Sequence, residues 1–172
     1  MTIDNIIYTR EDISKKVAEL GTLISKDYEG KRPLLVGVLK GAFIFMADLI
    51  REITLDCDVD FMAVSSYGAA TRSSGVVRII KDLDADLTDR DVIIVEDIID
   101  SGLTLSYLKK NLIARSPASL EICAMFVKEG LQKTTENLSY VGFTLPPDFV
   151  VGYGLDAAEK YRGLPYLATY KD

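Results

Sequence analysis

Between Glu96 and Thr104 the chain reads EDIIDSGLT, and these residue types could do two kinds of chemistry. Gly102 permits close backbone approach, while Asp100 to Thr104 bring unpaired amide donors, two hydroxyls and the positive end of a following helix together. Such a loop cradles a small anion, and a phosphate monoester fits it. It is not the nucleoside triphosphate P-loop, because GxxxxGK[ST] occurs nowhere in the chain. Glu96, Asp97 and Asp100 would repel that phosphate and must face something else. The hydroxyls of a sugar diol would suit them, and so would a magnesium ion, which takes oxygen ligands. A phosphorylated ribose carries its phosphate and its diol in one small molecule. On these residues alone a plainer reading stands beside this one, in which Asp100 and Ser101 cap a helix and Glu96-Asp97 ends a strand in solvent.

The elements that must position this loop are legible as periodicities. DVIIVED predicts a strand, as does the unalternating apolar run LLVGVL, whose pattern is that of a strand covered on both faces, and LTLSYLKKNLIAR predicts a helix directly after the loop. In open parallel sheets ligands bind beyond the carboxyl ends of the strands, which is where this strand delivers EDIIDSG. Upstream, Ile13, Val17, Leu20 and Ile24 fall at helical spacing, with Thr9 placed to cap the first turn. GAFIFMADLIREI predicts a helix, and VDFMAVSSY and VVRII two more strands around the loop GAATRSSG. SLEICAMFV, YVGFTL and FVVGYGL complete the strands. Alternating strands and helices predict an α/β fold, a mainly parallel sheet with helices on both faces.

Composition narrows the function classes. The 172 residues are 48% hydrophobic, which suits a single domain over residues 1–172. A formal net charge of -6 opposes binding to nucleic acid or to an anionic membrane surface. MTIDNIIYTRED lacks the basic and apolar parts of a signal peptide, and AFIFMA is broken by Asp48, so a soluble, cytoplasmic protein is expected. Cys57 and Cys123 sit in apolar or strand-like settings and read as free thiols. There is no histidine, which excludes Ser-His-Asp and Cys-His catalysis as well as histidine-ligated zinc.

An apolar strand followed by EDIIDSGLT resembles the phosphoribosyl diphosphate binding motif of the type I phosphoribosyltransferases. VGVLKGAFIFMADL, VSSYG, FVKEG and PDFVVGYGLDAAEKYRGLP extend the resemblance, in order and over roughly residues 30 to 170, to the 6-oxopurine branch of that family. The resemblance implies the type I fold with a small hood formed by the N- and C-terminal segments. It also implies an enzyme that joins phosphoribosyl diphosphate to hypoxanthine or guanine, with Mg2+, to give IMP or GMP and diphosphate. Lys40, Gly41 and Arg162 would contact the diphosphate, and Ser101, Gly102, Leu103 and Thr104 the 5'-phosphate. Glu96 and Asp97 would take the ribose hydroxyls and magnesium, and Asp156 a second magnesium beside the purine. Asp100 would move the purine's proton. Lys128 would contact O6, Phe149 would stack on the base, and the backbone carbonyl of Val150 would accept from the base edge. Ser66 and Tyr67 would begin a lid. The family further implies a homodimer or homotetramer, and a cis peptide between Leu39 and Lys40.

Two other readings compete with this one. A regulatory module keeping this fold would bind RNA or DNA, against which the acidic charge and the full set of Asp100, Lys128 and Arg162 count. The other is an enzyme for adenine or a pyrimidine, of which adenine would set its amino group against the donor-only Lys128 ammonium. Gly152 to Ala157, GYGLDA, fits the loose dinucleotide pattern GxGxxA, yet too little chain follows for the helix and second strand of such a unit.

Overall fold

The structure is a computed structural model that describes residues 2–66, 77–130 and 137–171. In chain order its elements are β1 (Thr2–Tyr8), α1 (Arg10–Asp27), β2 (Leu34–Leu39), α2 (Phe43–Glu52), β3 (Asp58–Ser66) and β4 (Val77–Lys81). There follow β5 (Asp91–Ile99), α3 (Leu103–Ile113), β6 (Ser119–Lys128), β7 (Tyr140–Leu145), β8 (Val150–Val151) and β9 (Leu167–Lys171).

The apolar runs become the middle of a sheet ordered β4-β3-β2-β5-β6-β7, in which β4 alone runs antiparallel to its neighbour. These strands need no polar face because both of theirs are covered. Leu35, Ile93, Val95, Cys123 and Met125 point to one side, against Ile13, Val17, Leu20 and Ile24 of α1 and Phe45, Met46 and Leu49 of α2. The alternate residues Leu34, Val36, Ile94, Ile122 and Ala124 point to the other, against Leu105, Leu108 and Leu112 of α3. A side-chain period of two, applied to consecutive apolar residues, thus fills two cores at once. Thr9 caps α1 as expected, its hydroxyl accepting from the Asp12 amide at 3.2 Å while the Asp12 carboxylate accepts from the Thr9 amide.

The chain runs outward from β2 through β3 to β4, then restarts at β5 beside β2 and runs the other way to β7. The reversal between β2 and β5 opens a crevice at their carboxyl ends. Lys40 follows β2, Asp100 follows β5, and Lys128 ends β6 on this same edge.

A second sheet, β1-β9-β8, forms the hood implied by the family resemblance. Its strands are the least legible in the sequence. β1 is largely exposed and pairs with β9 through a shifted register, and FVVGYGL keeps only Val150 and Val151 as strand. After Val151 the backbone turns through positive φ at Gly152, Tyr153 and Gly154. No helix follows GYGLDA, in keeping with its rejection as a dinucleotide site. Both cysteines are free, and burial pushes the Cys123 thiol up. Among the described residues no helix is long and apolar enough to cross a membrane.

Candidate active site

The loop after β5 is shaped by what caps α3. The cap is Gly102, at φ 80° in the left-handed region, and no side chain supplies a cap hydrogen bond there. The neighbouring Ser101 still meets the helix start as the plainer reading has it, its Oγ accepting from the amide of Leu103, the first residue of α3, at 3.3 Å. The helix start faces a cleft of about 180 Å³ lined by Glu96, Asp100, Ser101, Gly102 and Thr104. This geometry suits an anion met by backbone amides and two hydroxyls. A larger groove of about 540 Å³ lies between α1, α2 and the 163–165 turn and contains none of these loop residues.

Glu96 and Asp97 are consecutive in a strand, so their side chains divide between its faces. Glu96 lines the cleft and is only 7% exposed. Asp97 turns toward the β2 loop, where it touches Gly41 so closely that a Cβ added to Gly41 would lie 1.7 Å from Asp97 Oδ2. No residue larger than glycine fits there. The Leu39–Lys40 peptide bond beside it is cis, as the resemblance implied.

Burial, and then the charge of Asp97, holds the Glu96 carboxyl well above the usual range. Burial likewise pushes Asp97 up to about 6, against the lowering influence of the Ile98 amide and of Arg162, with Asp156 adding to the rise. Two buried carboxyls that raise proton affinity in this way suit a ligand bringing donors or positive charge, such as a diol or a hard cation. Among the described residues no three metal-ligating side chains converge. Glu96 and Asp97, with Asp156 near Asp97, would therefore hold a magnesium ion only alongside oxygens that the substrate supplies.

The same shifts fix a pH dependence. In the unfolded chain both carboxyls ionise near pH 4, whereas the folded chain keeps the Asp97 proton to about pH 6 and burial holds the Glu96 carboxyl well above its usual range. The folded state binds the extra protons in that interval, so stability from this pair is greatest at its acid end and declines as pH rises through 6. Ligand-free protein carrying Glu96→Gln should show a flatter decline in unfolding free energy between about pH 4.5 and 7.5 than the parent. Denaturant titrations at the two pH values measure it, and parallel slopes for variant and parent would refute it.

Lys128, 11% exposed at the end of β6, reaches across to Asp100, its Nζ 3.5 Å from Asp100 Oδ2. The residue expected to read the base and the one expected to move its proton are thus adjacent. A second cluster gathers around Arg162. Its Nη1 donates to the Gly154 carbonyl at 2.8 Å, and its Nη2 lies 3.2 Å from both Asp156 Oδ1 and Glu159 Oε1. Lys40 Nζ joins the cluster 3.4 Å from Glu159 Oε2. The Tyr153 hydroxyl donates to Asp48 at 2.6 Å and ties this turn to α2.

Phe149 and Val150 belong to the hood. Phe149 is 52% exposed, an unusual position for so large an apolar ring, and lies 6.0 Å from the Tyr170 ring centre. Val150 is buried and pairs with Thr169. Ser66 ends β3 on the site's edge of the sheet, and Tyr67 lies outside the described residues. Sequence reasoning misses Glu159 and the Tyr153–Asp48 bond. Glu159 gives no local signal as one acid within AAEKYR, and Tyr153 meets Asp48 only through the fold.

A parallel sheet whose switch point places a helix start beside buried acids, with cations across the crevice, defines an enzyme class that handles phosphorylated sugars. The chain belongs to the phosphoribosyltransferase family: the model of the phosphoribosyl transferase domain matches residues 5–158. It is 51% identical over 173 residues to the hypoxanthine-guanine phosphoribosyltransferase of Mycobacterium tuberculosis H37Rv, a match covering 97% of this chain and 86% of that protein. It is 50% identical over 169 residues to the Bacillus subtilis protein of the same name, covering 98% and 94%. A solved hypoxanthine-guanine phosphoribosyltransferase from Bacillus anthracis superposes with a TM-score of 0.95 at 44% identity, covering 99% of this chain and 100% of that one.

Proposed function

We propose that this chain, as a single domain, transfers the 5-phosphoribosyl group from phosphoribosyl diphosphate to hypoxanthine or guanine, giving IMP or GMP and diphosphate. The observation that carries this reading is the 3.5 Å approach of Lys128 to Asp100 at the rim of the phosphate cradle. It sets a donor-only cation beside a carboxylate, as a base with a carbonyl at O6 and a mobile ring proton requires.

The residues divide the reaction among them. The amides and hydroxyls of Ser101 to Thr104 hold the 5'-phosphate, and Glu96 and Asp97 hold the ribose hydroxyls. Phe149 stacks on the purine, and the Val150 carbonyl accepts from its edge. As the bond between N9 and the anomeric carbon forms and the bond to diphosphate breaks, Asp100 takes the proton at N7. Positive charge that builds on the ribose is tolerated by the nearby carboxylates, and Lys40, the Gly41 loop and Arg162 stabilise the leaving diphosphate. Magnesium, held by Glu96, Asp97 and Asp156 together with substrate oxygens, would offset the charge of the diphosphate. Ser66 and Tyr67, at the start of the segment between β3 and β4, would exclude water. The protein would work in the cytoplasm as a homodimer or homotetramer, without nucleic acid or membrane as a partner.

Initial rates on hypoxanthine, guanine, xanthine and adenine, with and without magnesium, test the reading. Hypoxanthine and guanine should release diphosphate, xanthine poorly and adenine not at all, and only with the metal. Adenine turning over as fast as hypoxanthine would defeat the role given to Lys128.

A further inference from the structure

Ala157 and Lys160 exchange both backbone hydrogen bonds, at 3.1 and 3.0 Å, across the two residues Ala158 and Glu159. Those two residues have φ of 50° and 64°. Such a tight turn favours glycine or asparagine, because other side chains crowd the backbone at positive φ. A glutamate at its second position runs against local preference, and residues kept in this way are candidates for a role. The Glu159 amide is also anchored, donating to Asp156 Oδ2 at 2.8 Å.

From this turn the Glu159 carboxylate spans the two cations to which the proposed reaction assigns the diphosphate. Its Oε2 lies 3.4 Å from Lys40 Nζ and its Oε1 3.2 Å from Arg162 Nη2. With Asp156 meeting the same Arg162 Nη2 at 3.2 Å, two positive and two negative side chains balance. We propose that Glu159 is a built-in competitor of diphosphate, occupying the anion position between Lys40 and Arg162 in the free protein and giving it up when the ligand arrives.

The inference rests on the reading of Lys40 and Arg162 as diphosphate contacts. The contact is suited to exchange. Glu159 is 65% exposed, so its ion pairs are screened and readily displaced. Arg162 stays in place when Glu159 leaves, since the Gly154 carbonyl and Asp156 still hold it. Its Nε, buried with no hydrogen-bond partner among the described residues, is a further donor on the same guanidinium. Displacement gives the cluster one net positive charge, available to the incoming anion. Return of the carboxylate as diphosphate departs would speed product release and keep the free site from retaining stray anions.

Glu159→Gln keeps the size and removes the charge, while Glu159→Gly removes the side chain and suits the turn, so a folding defect in one does not excuse the other. Calorimetric titration with magnesium diphosphate, and steady-state kinetics with hypoxanthine, read the effect. Both variants should bind diphosphate about 3- to 10-fold more tightly, with a parallel fall in KM for phosphoribosyl diphosphate, as expected for removing a competing exposed ion pair. The KM for hypoxanthine should stay within about 2-fold, and the gain should shrink at high salt. Unchanged or weaker diphosphate binding in both variants, with a parent protein that turns over normally, would overturn this inference and leave the proposed reaction standing. A parent protein that neither binds diphosphate nor turns over would remove both.

Discussion

Asp100→Asn should lower kcat with hypoxanthine by about 10²- to 10⁴-fold, the usual span for losing a general acid–base group, and move KM for phosphoribosyl diphosphate only a few-fold. The amide matches the carboxylate in size but cannot hold the purine's proton. Asp100 lines the cleft, whereas Gly102 and the Ser101 hydroxyl shape the helix start, so that cradle should survive the change. Its side chain is 58% exposed and its pairing with Lys128 is long, so thermal stability should barely move. Steady-state kinetics combined with a binding titration of phosphoribosyl diphosphate separate the two parameters. A variant that keeps the parental rate would remove Asp100 from proton transfer, and one that loses binding in proportion to rate would make it a ligand contact instead.

Gly41→Ala should be as damaging by a different route, reducing kcat/KM for phosphoribosyl diphosphate by on the order of 10²-fold. The new methyl carbon would lie 1.7 Å from Asp97 Oδ2 and 2.7 Å from its Cγ. Asp97 cannot rotate away freely, because its Oδ1 accepts from the Ile98 amide at 2.7 Å. Either that bond breaks or the loop between β2 and α2 lifts, and both displace groups assigned to the ribose and the diphosphate. The cause can be isolated with a double-mutant cycle. In an Asp97→Ala background the obstacle is gone, so Gly41→Ala should then cost far less than it does alone. Strictly additive losses would show that Gly41 matters for a reason unconnected with Asp97.

How far each of these residues is legible in the amino-acid sequence depends on the range of the forces that place it. β5 and α3 are legible because burial on both faces leaves an unbroken apolar run, and helical spacing then follows directly. Thr9 is legible because capping is local. The resemblance aims Lys128 and Asp100 at the same base, but their direct pairing, across 28 residues, appears only in the fold. β1 and β9 escape because each is partly exposed and each is a strand chiefly by virtue of the other, far away along the chain. Glu159 escapes for a related reason: its turn is made by positive φ at residues that do not advertise it, and its partner Lys40 lies 119 positions away.

The two sheets also set an order in time. β5, the acidic loop and α3 are all present by Ile113, and Lys128 closes that half of the site at the end of β6. The hood is different, because β8 is paired with β9, and β9 with β1. A chain leaving the ribosome therefore leaves β1 uncovered until β9 arrives to pair with it. The edge that carries the acidic loop and Lys128 can be sketched early, whereas the hood beside Phe149 and Val150 is completed only when β9 is made. A tag or fusion joined beyond β9 would sit next to that hood.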